Sequence, residues 1–206
     1  MNTSEFLKHI LEPNAIIEFC GLALLLFVVF AETGLLVGFF LPGDSLIFIS
    51  GMLCMSKPHL LGVTFPVLAG LMSLSAILGN MAGYWFGFKI GPPLFKRPDS
   101  FIFKKRYLEL TRDFYDKNGG KTLILGRFLP IIRTFAPILA GIIKIDFPRF
   151  MLFNIIGAVA WIGLLSGTGY FLGTYAWVRE NVGYIVIGLI IITLIPLVIT
   201  YFRRKK

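Results

Sequence analysis

Four ionisable residues stand inside stretches otherwise oily enough to lie in a lipid bilayer: Glu32 and Asp44 in the first half of the chain, Arg127 and Arg133 in the second. A charge at the membrane centre costs about 2.5 to 3.5 kcal/mol on insertion scales, so four of them require roughly 10 to 14 kcal/mol of compensation. Such residues usually mark a pathway or a binding site. Arginine presents a planar, permanently charged fork suited to phosphate oxygens, which makes Arg127 and Arg133 candidate binders of a phosphate headgroup. A carboxyl group in low dielectric gives up and takes back a proton most easily when its partner arginine is drawn away, so Glu32 and Asp44 suit proton coupling. The four side chains can also simply pair and pin two segments together. The two roles are compatible if the pair opens for substrate.

Each pair lies beside a proline-containing break, in FFLPGDS at 39–45 and in GRFLPIIRTFAP at 126–137. A membrane helix cannot run smoothly through Pro42-Gly43, Pro130 or Pro137, because proline removes an N–H and clashes with the preceding turn. Free N–H groups at such breaks add to anion binding. Charge and broken backbone coincide, and that points to transport.

The elements that must carry these residues are membrane helices. With 206 residues, 56% of them hydrophobic, and a mean hydropathy of +0.81, the chain is too apolar for a soluble domain of its size. Its apolar runs, 15–31, 33–56, 60–88, 122–143, 150–176 and 182–202, each come near or above the ~20 residues that cross hydrocarbon as a helix. None alternates as a membrane barrel strand does. The polar stretch before the first run and the lack of a small-x-small cleavage site predict a retained span, not a removed signal peptide. Cys20 and Cys54 lie in apolar runs without metal-ligand spacing, and His9 and His59 are isolated, so neither a disulfide framework, a metal site nor a cofactor is expected.

The net charge of +9 reflects membrane topology and not nucleic-acid binding, because the basic residues gather in loops beside the apolar runs. Lys96, Arg97, Lys104, Lys105, Arg106, Arg112, Lys117 and Lys121 crowd one loop, and Arg203-Arg204-Lys205-Lys206 ends the chain. Placing both inside makes the region of Lys144 and Arg149 cytoplasmic too, so 122–143 must enter and leave on one face. Both termini then lie in the cytoplasm, with only Lys57 and Arg179 outside. Within the 96–121 loop, Phe103, Tyr107, Leu110 and Phe114 share one face of a predicted surface helix, capped by Asp99 or Ser100 and ended by Asn118-Gly119-Gly120. Such a helix suits the surface of an anionic leaflet.

An internal repeat fixes the rest. Phe40-Leu41-Pro42 recurs as Phe128-Leu129-Pro130, and Gly83-Tyr84-Trp85-Phe86-Gly87 recurs as Gly169-Tyr170-Phe171-Leu172-Gly173. The expected fold is therefore an all-α polytopic membrane protein, one domain over 1–206, with about four full spans and two oppositely oriented re-entrant hairpins in an inverted repeat. Repeat 1 occupies 15–95 with its hairpin at 33–56, and repeat 2 occupies 122–176 with its hairpin at 122–143. The basic loop 96–121 joins them, and 182–202 is the last span. Such repeats offer matching outward and inward states around a site near the midplane. Gly83, Gly87, Gly169 and Gly173 are expected to let helices approach closely.

These residues resemble the DedA family, also described as the SNARE-associated Golgi or VTT-domain family. The resemblance covers roughly 15–200 and rests on E-x(9)-P-G-D at Glu32, Pro42, Gly43 and Asp44, and on G-R-F-x-P-x-x-R from Gly126 to Arg133, with Pro137 and Ala140-Gly141 after it. The family pattern often has an acid where this chain has Asn80. The resemblance implies lipid transport in the bacterial cytoplasmic (inner) membrane, of a polyprenyl phosphate carrier or of phosphatidylethanolamine, coupled to protons and supporting the envelope. It also implies functional roles for Glu32, Asp44, Arg127 and Arg133. The partners expected are thus a membrane phospholipid or polyprenyl phosphate and protons, with a homo-oligomer left open and no nucleic acid. An alternative is a proton-coupled exporter of a small ion or drug, which shares the acids but does not need two arginines. An intramembrane enzyme is disfavoured because no embedded His-Asp, GxGD or HExxH arrangement is present, and a scaffold docking through the 100–118 helix is the remaining alternative.

Overall fold

The structure, a computed structural model, describes residues 13–35, 43–56, 60–95, 127, 130–181, 183–185 and 188. Pro42, the predicted helix of the 96–121 loop, the tip of the second hairpin around Phe128-Leu129 and nearly all of the 182–202 span lie outside those residues. Among the described residues every regular element is a helix: α1 Pro13–Gly34, α2 Gly43–Ser56, α3 Phe65–Phe95, α4 Pro130–Ile142, α5 Phe147–Leu172 and the short α6 Ala176–Glu180.

Two of these are long and apolar enough to cross a membrane, Phe65–Gly91 of α3 and Phe147–Leu172 of α5. At 1.5 Å per residue each reaches about 40 Å, beyond the ~30 Å of hydrocarbon. Their surfaces match that medium: Leu74 on α3 and Leu152, Val159 and Leu164 on α5 are each more than half exposed, as are Leu24 and Phe27 on α1. Aromatic side chains gather at two levels. Tyr84, Trp85 and Phe88 of α3 meet Phe147 and Phe150 of α5, with the rings of Tyr84 and Phe150 4.7 Å apart. At the other end the rings of Phe65 and Tyr170 lie 4.5 Å apart. About twenty residues of α3 separate the two levels, about 30 Å along the axis, which is the spacing of two membrane interfaces.

Local chemistry sets the helix ends. Asp146 caps α5 by accepting from the Arg149 backbone N–H at 3.4 Å, and proline follows in the first turn, where its missing N–H is harmless. The sharp turn before it places Lys144 at φ 55°, in the left-handed region. α4 begins at Pro130 and runs to Ile142 with Pro137 inside it. The sequence pattern marks Pro137 as a break; the structure instead carries the helix through it. The proline forfeits one hydrogen bond, to the carbonyl four residues back, and α4 stays packed on α3 through it, with Pro137 beside Gly83.

Packing is reciprocal between the two halves of the chain. The short helix α2 lies on α5, the short helix α4 lies on α3, α3 also holds α1, and α3 and α5 touch each other. Both short-helix contacts bring backbone against backbone. A Cβ at Gly141 of α4 would overlap the Tyr84 carbonyl and one at Gly87 the Ile138 carbonyl; on the other side, Gly51 of α2 meets the Ser166 carbonyl and Gly169 meets the Phe48 carbonyl. Gly173 stands against Met52. Around these contacts Val29, Ile47, Leu68, Met72, Trp161 and Ile162 form the larger apolar core. Helices in lipid gain little from hiding apolar surface, so this close approach supplies much of what holds them together.

Gly141→Ala should therefore lower the thermal midpoint of the purified protein by several degrees, because α4 must lift off α3. Gly163→Ala, where nothing lies within 4 Å of the added methyl, should leave it unchanged or raise it. Equal effects of the two substitutions on detergent-solubilised protein would contradict the packing argument.

Candidate functional site

The two short helices start where the charges are. Asp44 is in the first turn of α2, Arg133 ends the first turn of α4 with Thr134 next to it, and Glu32 is in the last turn of α1. Arg133 joins all three helices. Its Nη1 donates to Asp44 Oδ1 at 2.6 Å, and its Nη2 donates to Glu32 Oε1. The guanidinium lies over the indole of Trp161 on α5, 4.3 Å from the ring centroid, and the indole Nε1 donates to the same Asp44 oxygen at 3.2 Å. Thr134 Oγ1 donates to the Glu32 backbone carbonyl at 3.3 Å. Glu32, Arg133 and Trp161 are buried, while the Asp44 side chain keeps 19% exposure. One arginine thus satisfies two carboxylates and one aromatic face, using the planar donor fork that lysine lacks.

Gly43 makes this possible. A Cβ at that position would overlap the Glu32 carboxylate, so only glycine lets the acid sit against the start of α2. There it faces the positive end of the α2 dipole. Of the four residues expected at the hairpin breaks, Gly43 and Pro130 are the first residues of short helices, Pro137 lies inside α4, and Pro42 is outside the described residues.

Arg127 is placed differently. It is buried just before α4, and its Nη2 donates to Asn154 Oδ1 of α5. Asn154 Nδ2 in turn donates to the Ile77 carbonyl at 3.2 Å, and the amides of Asn154 and Asn80 meet at 2.9 Å. The orientation of Asn80 that satisfies its neighbours has its nitrogen donating to the Thr33 carbonyl at 2.9 Å and its oxygen accepting from Arg127. Asn154 and Trp161 are two helical turns apart on α5, about 10 Å in level, and that helix is met at these two residues by Arg127 and Arg133. Between them lies a cavity of about 10 Å³, lined by Asn80, Arg127, Arg133, Pro137, Phe150 and Asn154. That is room for about one water molecule. Among the described residues, Glu32 Oε2, Arg127 Nη1 and Arg133 Nε are buried without a hydrogen-bond partner.

Of the four charged residues singled out in the sequence, three meet directly and the fourth, Arg127, lines the same cavity without touching either acid. Pro137 also lines it, and Gly83, Gly87, Gly169 and Gly173 lie in the helix contacts described above. Trp161 and Asn154 carry no mark in the sequence analysis. An amide in an otherwise apolar run is the signal that would have found Asn154, since such a group in a membrane helix needs an internal partner. Among the described residues no three His, Cys, Asp or Glu side chains come together in a way that could hold a metal ion.

A model of the VTT domain matches residues 23–171, and Protein DedA of Escherichia coli K12 is 43% identical over 184 residues, covering 89% of this chain and 83% of that protein. The chain belongs to the VTT-domain family, the DedA family. An uncharacterized membrane protein of Mycobacterium tuberculosis H37Rv is 42% identical over 87% of this chain and 78% of its own length. The inner membrane protein YghB of Salmonella typhimurium is 30% identical over 82% of this chain and 75% of its own length. No solved structure matches. All the charged residues of the site lie within the matched VTT domain, and two of these relatives are named as membrane proteins, which agrees with the long apolar helices.

Removing the arginine from a buried ion cluster leaves its acids uncompensated. Arg133→Ala should therefore destabilise this DedA-family protein by about 3–5 kcal/mol in a reversible denaturant titration, and Glu32→Gln combined with it should recover part of the loss. Additive effects of the two substitutions would show that the pair is not coupled.

Proposed function

We propose that the protein carries a lipid phosphate, a polyprenyl phosphate or phosphatidylethanolamine, across the bacterial inner membrane in exchange with protons. The observation that carries this reading is the cavity shared by two buried arginines, of which, among the described residues, only Arg133 is held by acids. Two guanidinium groups facing one void can take phosphate oxygens from both sides. Protonation of Glu32 or Asp44 loosens its hold on Arg133 and frees a donor for the phosphate; when the acid ionises again it recaptures Arg133 and expels the anion. Substrate and proton thereby compete for the same arginine.

A cavity of about 10 Å³ admits no phosphate. It has to widen, and the arrangement of the chain supplies a means. In this reading α2 and α4 belong to re-entrant hairpins that enter from opposite faces, in an inverted repeat whose halves rock against each other. The reciprocal packing of α2 on α5 and of α4 on α3 supports it. Basic loops and both termini lie in the cytoplasm, and the protein moves its lipid without chemical change. Homo-oligomerisation is compatible with this cycle and not needed for it.

The test is movement of labelled polyprenyl phosphate and labelled phosphatidylethanolamine between leaflets of proteoliposomes, with and without an imposed pH gradient. Wild-type protein should move one of them faster under the gradient, Glu32→Gln should lose the response to the gradient, and Arg127→Lys should slow movement about tenfold. Undiminished gradient-driven movement in both variants would sink the proposal. Failure of folded wild-type protein to move either lipid would favour the small-ion exporter.

A further inference from the structure

Arg127 is 3% exposed in a membrane protein, yet among the described residues it has no carboxylate beside it. Its neighbours are amides. Asn154 has no freedom to present anything but oxygen, because its nitrogen is engaged by the Ile77 carbonyl on α3. Asn80 presents oxygen to Arg127 when it is turned so that its nitrogen meets the Thr33 carbonyl at the end of α1, where the last carbonyls of a helix lack intrahelical donors; its other orientation donates to Asn154 Oδ1 instead. Asn154 Oδ1 thus receives Nη2 of Arg127, joined by the Asn80 oxygen in the orientation that also satisfies Thr33, while among the described residues Nη1 has no partner.

An amide oxygen satisfies an N–H donor but brings no net charge. The charge around the cavity is therefore split along α5. At the level of Trp161, Arg133 faces two carboxylates and the balance is negative; at the level of Asn154, Arg127 faces two neutral amides, and among the described residues no carboxylate compensates it. A buried charge without a counter-charge is costly, and an acid in place of either asparagine would relieve that cost at nearly the same size and shape.

We infer that Asn80 and Asn154 are specificity-determining residues: they orient Arg127 while withholding a counter-charge, so that an oxyanion of the phosphate class supplies it. This rests on the reading of Arg127 as a phosphate contact and adds what keeps that contact available. It follows that stability and binding move in opposite directions when an amide becomes an acid. A merely structural role for the two asparagines has no such consequence.

The experiment uses the full chain, purified in detergent, as wild type, Asn154→Asp and Asn80→Asp. Thermal midpoints are measured beside equilibrium binding of labelled inorganic phosphate and of a labelled short-chain alkyl phosphate. The expected result is a midpoint equal to or above wild type in at least one variant, with its phosphate binding weakened about tenfold or more. Binding of the alkyl phosphate alone would identify the ligand as a lipid headgroup, and equal binding of both would identify free phosphate. Wild-type binding of inorganic phosphate that is lost in Asn154→Asp, in a protein that moves neither lipid, would uphold this inference while ending the lipid reading. The inference is overturned if the folded variants bind as wild type does, if wild type binds neither phosphate, or if both variants fail to fold, since an acid beside an uncompensated arginine should not destabilise it.

Discussion

Everything in the centre of this protein depends on one guanidinium group. Arg133 sits where three helix ends converge and gives each of two acids a donor, so the start of α2, the start of α4 and the end of α1 are tied at a single point. In water such a contact would contribute little, because exposed ion pairs are nearly balanced by hydration. In a buried site the balance changes sense: each partner alone is strongly unfavourable, so the three groups are held together by the penalty of separating them. Trp161 completes the arrangement by offering its ring to the arginine and its N–H to Asp44, which prevents the acid from rotating away. The glycine at position 43 is the steric condition for the whole contact.

The helices around this point are held by a different physics. Lipid-facing leucine, valine and phenylalanine give them no reason to associate, and the contacts that do so are places where glycine lets one backbone touch another. The aromatic levels at the two ends of α3 and α5 then set depth, with the ion cluster between them. Directional polar bonds in the middle, close backbone contact along the length and aromatic anchors at the edges divide the work of a fold that cannot rely on hydrophobic burial.

Much of this was legible in the sequence, for reasons that can be stated. Four charges in apolar runs are costly wherever they go, so Glu32, Asp44, Arg127 and Arg133 stand out, and the proline and glycine beside them mark breaks; that short helices start at Gly43 and Pro130 is what the structure adds. The pairing pattern was not legible. Spacing along a chain does not say which arginine meets which acid, and the separation of Arg127 from both acids follows from the level of Asn154 on α5, a tertiary fact. Pro137 reads as a break because a proline forfeits a backbone hydrogen bond, and spacing along the chain does not show that packing on α3 carries the helix through it. Trp161 is not legible because an indole attracts notice only once its partners are known, whereas the amide of Asn154 in an apolar run is a signal the sequence does offer.

The reciprocal packing of the short helices has a consequence for how the molecule is made. As the chain is synthesised, α1, α2 and α3 are present before α4 and α5 exist, yet α2 rests on α5 and the acids of the first half find their only arginine partner among the described residues on α4. The first half therefore enters the membrane with its short helix undocked and two acids unmatched, and it has to wait. Assembly becomes a single late event, in which arrival of the second half closes both helix contacts and the ion cluster together. A truncated chain ending in the basic loop should not be a smaller version of this protein but an unfinished one.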